Sequence, residues 1–243
     1  MSIVIGGTVT DKGIAFWSEK NSVYAYLDKD NNIKIKTTNI FKKEHKILKV
    51  LDKIPFIRGI KVLMEVIIQH WKIFLILPIF FYINDILGLK DIPINSLNYY
   101  LLEFGIFFIV LLFIRFSSIS KFHGAEHKIY NTYLKNLPLT IDNIKKESTI
   151  SINCGANIII YMIILDVIFN YFGLGIWRIL LNFTISYELF RLYNYKILFI
   201  FRYISGLIQK YFTTSQPTEK EIKIGIIAIE KLLKLEENQQ VVF

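Results

Sequence analysis

Twenty-seven of the 29 lysines and arginines in this 243-residue chain fall in three blocks, at 1–72, 115–153 and 191–243. Only Lys90 and Arg178 lie in the apolar stretches between them. Basic charge that returns at intervals, separated by runs rich in Ile, Leu and Phe, is the positive-inside signature of a polytopic helical membrane protein. It is not the clustered basic face that nucleic acid requires, so the net charge of +9 implies no nucleic-acid partner. Hydrophobic residues make up 53% of the chain and the mean hydropathy is +0.42, high for a soluble domain. The predicted fold is mainly α, with about four membrane spans, a small N-terminal cytosolic β cap and C-terminal amphipathic helices. Both termini are expected in the cytosol, with the spans in the inner or plasma membrane and the lipid bilayer as a partner. A soluble bundle with buried helices is the alternative, and it gives the basic residues no reason to segregate.

Three segments follow. Residues 1–48 form the cap: "SVYAYLDKDNNIKIKT" alternates apolar and polar residues on both sides of an Asp-Lys-Asp-Asn-Asn turn, which is a hairpin signal. Gly6-Gly7 and Gly13 punctuate an earlier strand pair. Residues 49–212 form the membrane domain, with an amphipathic lead-in helix after Pro55 and spans near 66–83, 99–116, 157–172 and 176–190. In the first of these only 73–83 is free of strongly polar residues, which is short for a crossing. A short external loop is expected at 84–96, and a tight turn at Gly173 and Gly175. The run "KILFIFRYISGLIQKYF" mixes aromatic and basic residues as an interfacial helix does. Residues 213–243 form the C-terminal amphipathic helix, with Ile222, Ile226, Ile229 and Leu233 on one stripe and Thr218 and Glu221 at capping-box spacing. The N-terminal "MSIVIGGTVTDKG" has no basic region followed by an apolar core, so no cleavable signal is expected. Cys154 is the only cysteine, which excludes an internal disulfide and suits a reducing face.

The polar block 117–153 carries the chemistry. Residues 122–128 read "FHGAEHK", an H-x-x-E-H pattern that reverses the helical motif of zinc peptidases. On a helix, His123 and His127 stand one above the other, so both imidazoles can reach one ion. Glu126 is turned about 100° from His127 yet lies three residues from His123, placing it to act as a base toward a bound water. A catalytic zinc site takes three protein ligands and keeps one open position. Topology supplies two candidates for the third ligand at the inner membrane level: Cys154, just before the third span, and Glu188, near the end of the fourth. Both positions have plainer readings. A lone Cys154 is more often a small core residue than a ligand, and Glu188 with Arg191 also reads as an i,i+3 ion pair. His70 could turn toward the site from the first helix, whereas Asp166 lies toward the outer side.

Several segments resemble, in order and spacing, the YqhQ-like family of bacterial membrane proteins, described as predicted metal-dependent enzymes of unknown function. They are "FHGAEHKIYNTY", "LTIDNIKKES" running to "NCGANIII", "ISYELFRL" and "LIQKYFTTSQPTEKEIKIGIIAIEKLL", with "IGGTVTDKGIAFW" and "PFIRGIKVLMEVI" nearer the start. The resemblance implies a multi-span protein with a metal site and points to His123, Glu126, His127, Cys154, Asn157, Glu188 and Arg191. Thr213 and Thr214 match the family's tail motif. Family members usually carry Glu before the glycine at position 13, where this chain has Lys12; if that glutamate serves the site, the chain is an altered member.

Two functions compete. One is an integral membrane metalloenzyme, with zinc or another divalent transition metal on His123, His127 and Cys154 or Glu188, and with Glu126 and Arg191 as catalytic residues. The expected chemistry is hydrolysis at the cytosolic membrane face of an amphipathic or membrane-associated substrate. The other is a non-enzymatic scaffold or regulator whose cap and tail dock a partner. A transporter is a weaker third, since four spans form a pathway only in an oligomer.

Overall fold

The computed structural model describes residues 5–40, 50–69, 105, 108–171, 177–192 and 196–240. The chain is mainly helical with a small N-terminal antiparallel sheet. It divides into two compact units, the first comprising residues 1–43, 109–154 and 203–243 and the second 44–108 and 155–202.

The sheet of the first unit is a four-stranded antiparallel meander: β1 (Gly6–Val9), β2 (Gly13–Trp17), β3 (Asn21–Leu27) and β4 (Ile33–Asn39). The Asp28 carboxylate closes the β3–β4 hairpin by accepting from the amides of Asp30 and Asn32 at 2.9 and 2.8 Å, while Asn31 takes φ 60°. Asx turns and left-handed asparagines are what such short polar side chains stabilise. Strand β4 is exposed along its whole length, and its Lys34 and Lys36 blunt the free edge. The other strands bury Ile14, Phe16, Val23 and Ala25.

Against that face lie the helices of the same unit. After α1 (Ile57–Gln69, in the second unit) come α2 (Phe108–Phe116), α3 (Ser118–Leu134) and α4 (Ile141–Lys146). The last helix, α8, covers Glu219–Gln240. It begins with the expected capping box: Glu221 Oε2 accepts from the Thr218 amide at 2.7 Å, and Thr218 Oγ accepts from the amide of Lys220. Ile222 and Ile229 of its stripe are buried in one core with the strands, with Phe122 and Ile129 of α3, and with Ile144 of α4. The strands at 6–27 and the helix at 219–240, which fall in separate segments of the sequence, therefore share one hydrophobic interior. Fully burying an aliphatic side chain of this size stabilises by about 1.5–3 kcal/mol. Gly225 makes the fit possible, since a Cβ there would stand 2.3 Å from Ile129 Cδ1.

The second unit contains α1, α5 (Ala156–Tyr171) and α6 (Trp177–Arg191). Helix α7 (Phe199–Ile208) follows, and its last turn leads into a π segment at Gln209–Thr213 in the first unit. Glu188 of α6 is bound by α1: the Phe56 amide and Arg58 Nε donate to its Oε1 at 3.0 and 2.8 Å, and Arg58 Nη2 pairs with Oε2. Gly59 brings α1 close to Thr184, 3.1 Å from where a Cβ would sit.

Among the described residues, no single helix is long and apolar enough to cross a membrane. Helices α2 and α3 pass that test only as a pair, and they are bent by 78°. The apolar part of α5, Ala156–Asp166, is shorter than a crossing. The expected span at 66–83 lies outside the described residues beyond Gln69, as do the external loop at 84–96, most of 99–107 and the turn at 173–175. So do His45 and His70.

Candidate metal centre

Helix α3 runs unbroken through Gly124, so His123 and His127 share a face one turn apart. Their ring centroids are 4.3 Å apart. Each ring is fixed at Nδ1 by a main-chain carbonyl, that of Thr213 at 3.0 Å for His123 and that of Thr149 at 2.6 Å for His127. A carbonyl only accepts, so Nδ1 carries the proton in both rings and each Nε2 presents a lone pair. His123 Nε2 stands 3.4 Å from Cys154 Sγ. His127 Nε2 is buried and makes no hydrogen bond. Ligand atoms of His123, His127 and Cys154 all lie within 4.8 Å of one another.

These distances suit one ion. Zinc bonds of about 2.0–2.1 Å to nitrogen and 2.3 Å to sulfur, at a tetrahedral angle, put N and S about 3.6 Å apart. The buried His127 Nε2 is the most direct sign of a missing partner, because an unsatisfied buried polar atom costs about 1–3 kcal/mol. Imidazole and thiolate are donors for zinc and for other borderline transition ions alike.

Burial sets the charge states. It holds His123 below the usual range, opposed by the Thr213 hydrogen bond, and pushes His127 down to about 3, helped by the His123 charge and opposed by Thr149. Both rings are thus neutral at neutral pH, the state in which imidazole ligates. Burial also raises the Glu126 carboxyl to about 8. Its Oε2 lies 3.5 Å from His127 Nε2, and its side chain is nearly buried, with 11% exposure.

Gly6-Gly7, which the sequence presents as turn punctuation, has a different role. A Cβ on Gly7 would stand 2.1 Å from Glu126 Oε1, and one on Gly6 2.4 Å from the Trp17 ring. Gly7 lets β1 lie directly against the carboxylate, and Gly6 makes room for the Trp17 ring. Gly124 does the same on the other side of α3, where a Cβ would meet Ser215 O at 2.0 Å. Lys12 occupies the exposed β1–β2 turn, whose amides are held by Thr10 Oγ.

Around the centre lies a second set of polar side chains that motif reading missed. Lys128 Nζ donates to the carbonyls of Lys145 and Glu147 at 2.8 and 2.5 Å, and Asn131 Nδ2 to those of Ser148 and Ile150, both at 3.0 Å. With His127 on Thr149, one face of α3 grips the whole segment 145–150. The available signal was spacing: Lys128 and Asn131 follow His127 at one and four residues. The other sequence-derived candidates, Asn157, Glu188 and Arg191, belong to the second unit. Asn157 is buried in the first turn of α5, Glu188 is engaged by Arg58, and Arg191 is exposed at the end of α6.

The chain belongs to the family described as "Protein of unknown function (DUF1385)", whose model matches residues 56–235. It is 28% identical over 166 residues to the uncharacterized protein YqhQ of Bacillus subtilis (strain 168). That alignment covers 62% of this chain and 51% of YqhQ, so the match spans about half the relative's length. No solved structure matches the chain.

Proposed function

We propose that this protein is a metal-dependent, most simply zinc-dependent, membrane hydrolase. His123 Nε2, His127 Nε2 and Cys154 Sγ would hold the ion, and Glu126 would handle the proton. The observation that carries this reading is the orphaned His127 Nε2, turned with a second imidazole and a thiol to within 4.8 Å. Bound there, the ion would supply Lewis-acid activation of a water or of a substrate carbonyl or phosphoryl oxygen. Backbone carbonyls at 149 and 213 keep both imidazoles in the ligating tautomer. Glu126, beside the cluster, would take a proton from the attacking water and return it to the leaving group. A neighbouring cation favours the ionised carboxylate that this role needs, against the pull of burial. Arg191 is assigned no step.

Membrane attachment is part of the proposal. The segregated basic blocks support it, as do the exposed apolar side chains Ile109, Phe113 and Phe116 along α2. A large apolar surface of this kind, next to basic residues, fits a lipid boundary. The substrate class that follows is amphipathic or membrane-associated, met at the cytosolic face.

A second reading rests on the same carboxylate. Glu126 Oε2 is as near His127 Nε2 as one zinc ligand is to another, so Glu126 could close the site as a fourth ligand. A closed site is structural, and the protein would then be a non-enzymatic membrane scaffold or regulator.

Metal analysis by mass spectrometry on detergent-purified protein tests both. Near-stoichiometric metal in the parent, lost in a folded His123→Ala/His127→Ala variant, is expected. No metal after reconstitution would overturn both readings. Glu126→Gln separates them: metal retained with unchanged affinity supports the proton-handling role, and metal lost supports the closed site.

A further inference from the structure

Cys154 and the His123 anchor come from different parts of the chain, and one side chain ties them together. Gln209 is almost fully buried. Its Oε1 accepts from the Ser151 amide at 2.9 Å and its Nε2 donates to the Ser151 carbonyl at 3.1 Å, a two-point pairing like that between strands. Ser151 also starts the turn that presents the thiol, since the Cys154 amide bonds to the Ser151 carbonyl at 3.4 Å.

The main chain of Gln209 serves the other anchor. It opens the π segment Gln209–Thr213, whose final carbonyl receives His123 Nδ1. The Gln209 carbonyl accepts from both the amide and the hydroxyl of Thr214, at 2.9 and 2.8 Å, which closes the i→i+5 turn. Isolated π turns cost regular helix hydrogen bonding and persist mostly where a site needs the altered register. Arg115 Nη1 on the Thr214 carbonyl and the Ser215 amide on Ser120 O then fasten the segment to the end of α2 and the start of α3.

We infer that Gln209 is a positioning residue of the centre: through its side chain it sets Cys154, through its main chain it sets the acceptor of His123, and so it fixes the sulfur-to-imidazole separation. This rests on the metal-site reading above. Neither Gln209 nor the π segment supplies a donor atom to the cluster; the residue acts through Ser151 and Thr213. Outer partners of this kind are typically worth about 10- to 100-fold in metal affinity.

The test uses full-length protein in detergent, loaded with cobalt(II), comparing the parent with Gln209→Ala and the near-isosteric Gln209→Glu. Glu keeps the acceptor for the Ser151 amide and removes the donor to its carbonyl. Cobalt affinity is read by competition with a chromophoric chelator, the thiolate-to-cobalt charge-transfer band reports Cys154, and circular dichroism reports folding. Expected are a folded Gln209→Glu protein with affinity reduced about 10-fold or more, a weakened thiolate band, and retained imidazole ligation. A larger loss is expected for Gln209→Ala. Parent-like affinity and thiolate band in either folded variant would overturn the positioning role while leaving the metal site standing. A parent that binds no cobalt would overturn the metal site itself, and the role of Gln209 with it.

Discussion

Gly124→Ala sets two physical effects against each other, and the structure says which wins. In an exposed helix interior the change gains about 1 kcal/mol from helix propensity. At position 124 the new Cβ would stand 2.0 Å from Ser215 O, whereas ordinary contact begins near 3.4 Å. The obstacle is main chain, so the 213–217 segment or α3 must retreat by about 1.4 Å, the difference between those two distances. That movement stretches the Ser215 amide bond to Ser120 O and the Ser120–Ser215 hydroxyl bond, both 2.9 Å, past useful length. Each lost bond costs about 1 kcal/mol net, and overpacking adds about 1–3 kcal/mol. Subtracting the propensity gain leaves a destabilisation of about 2–4 kcal/mol, a fall of about 4–16 °C in Tm for a chain of this size. The same shift moves the Thr213 carbonyl from His123 Nδ1, so metal affinity should fall as well. Thermal unfolding in detergent and chelator competition measure the two effects. A variant as stable as the parent or more so, with unchanged affinity, would refute the close approach of α3 to this segment.

Two further expectations concern charge. In metal-free protein, Glu126 is raised to about 8 from an unfolded value near 4.5, so its contribution is complete below 4.5 and is lost as pH rises through 8. His127 is lowered to about 3 from near 6.5, so its contribution is complete above 6.5 and is lost as pH falls through 3. Between about 4.5 and 6.5 the two slopes cancel, and metal-free stability should decline on both sides; Glu126→Gln should abolish the alkaline decline, and a parent-like alkaline slope in that variant would contradict the buried carboxyl. Arg58→Ala should cost about 3–5 kcal/mol by leaving Glu188 without its paired cation. Glu188→Gln should leave the metal content unchanged by mass spectrometry, and loss of metal would restore Glu188 as a ligand.

How much of this was legible in the chain depends on the range of the interaction. Local signals read directly: the alternation around Asp28–Asn32 gives β3 and β4, and Thr218 with Glu221 gives the start of α8. The i,i+4 histidines read directly too, because helix geometry alone puts them on one face. Non-local contacts did not read. No local pattern says that the stripe of α8 buries itself against β2 and β3 from the other end of the chain. The two glycines at 6 and 7 carry the same sequence signal whether they punctuate a strand pair or, as here, admit Trp17 and Glu126. Glu188 was a reasonable ligand candidate from sequence because a carboxylate at the end of an apolar helix needs a partner. The partner is Arg58, 130 residues away, and only the fold could supply that.

The electrostatics of the centre bear on why such a cluster persists in a hydrophobic unit at all. Within one turn of α3 lie a half-buried imidazole, a buried imidazole and a buried carboxyl; each bears a desolvation cost, offset in part by hydrogen bonds for the two rings. Carbonyls satisfy both Nδ1 atoms, Lys128 and Asn131 hold the 145–150 segment that provides one of them, and Gln209 holds the other side. Among the described residues two buried side-chain atoms have no hydrogen-bond partner, His127 Nε2 and Thr213 Oγ, and both belong to the residues around this cluster. A purely structural core would gain by replacing that ring with an apolar one of similar volume. Retaining it, with neutral donors already oriented and a thiol at 3.4 Å from its neighbour, is the arrangement expected when an ion supplies the missing interaction. Metal binding would then contribute directly to folding stability, in proportion to how far its concentration exceeds Kd.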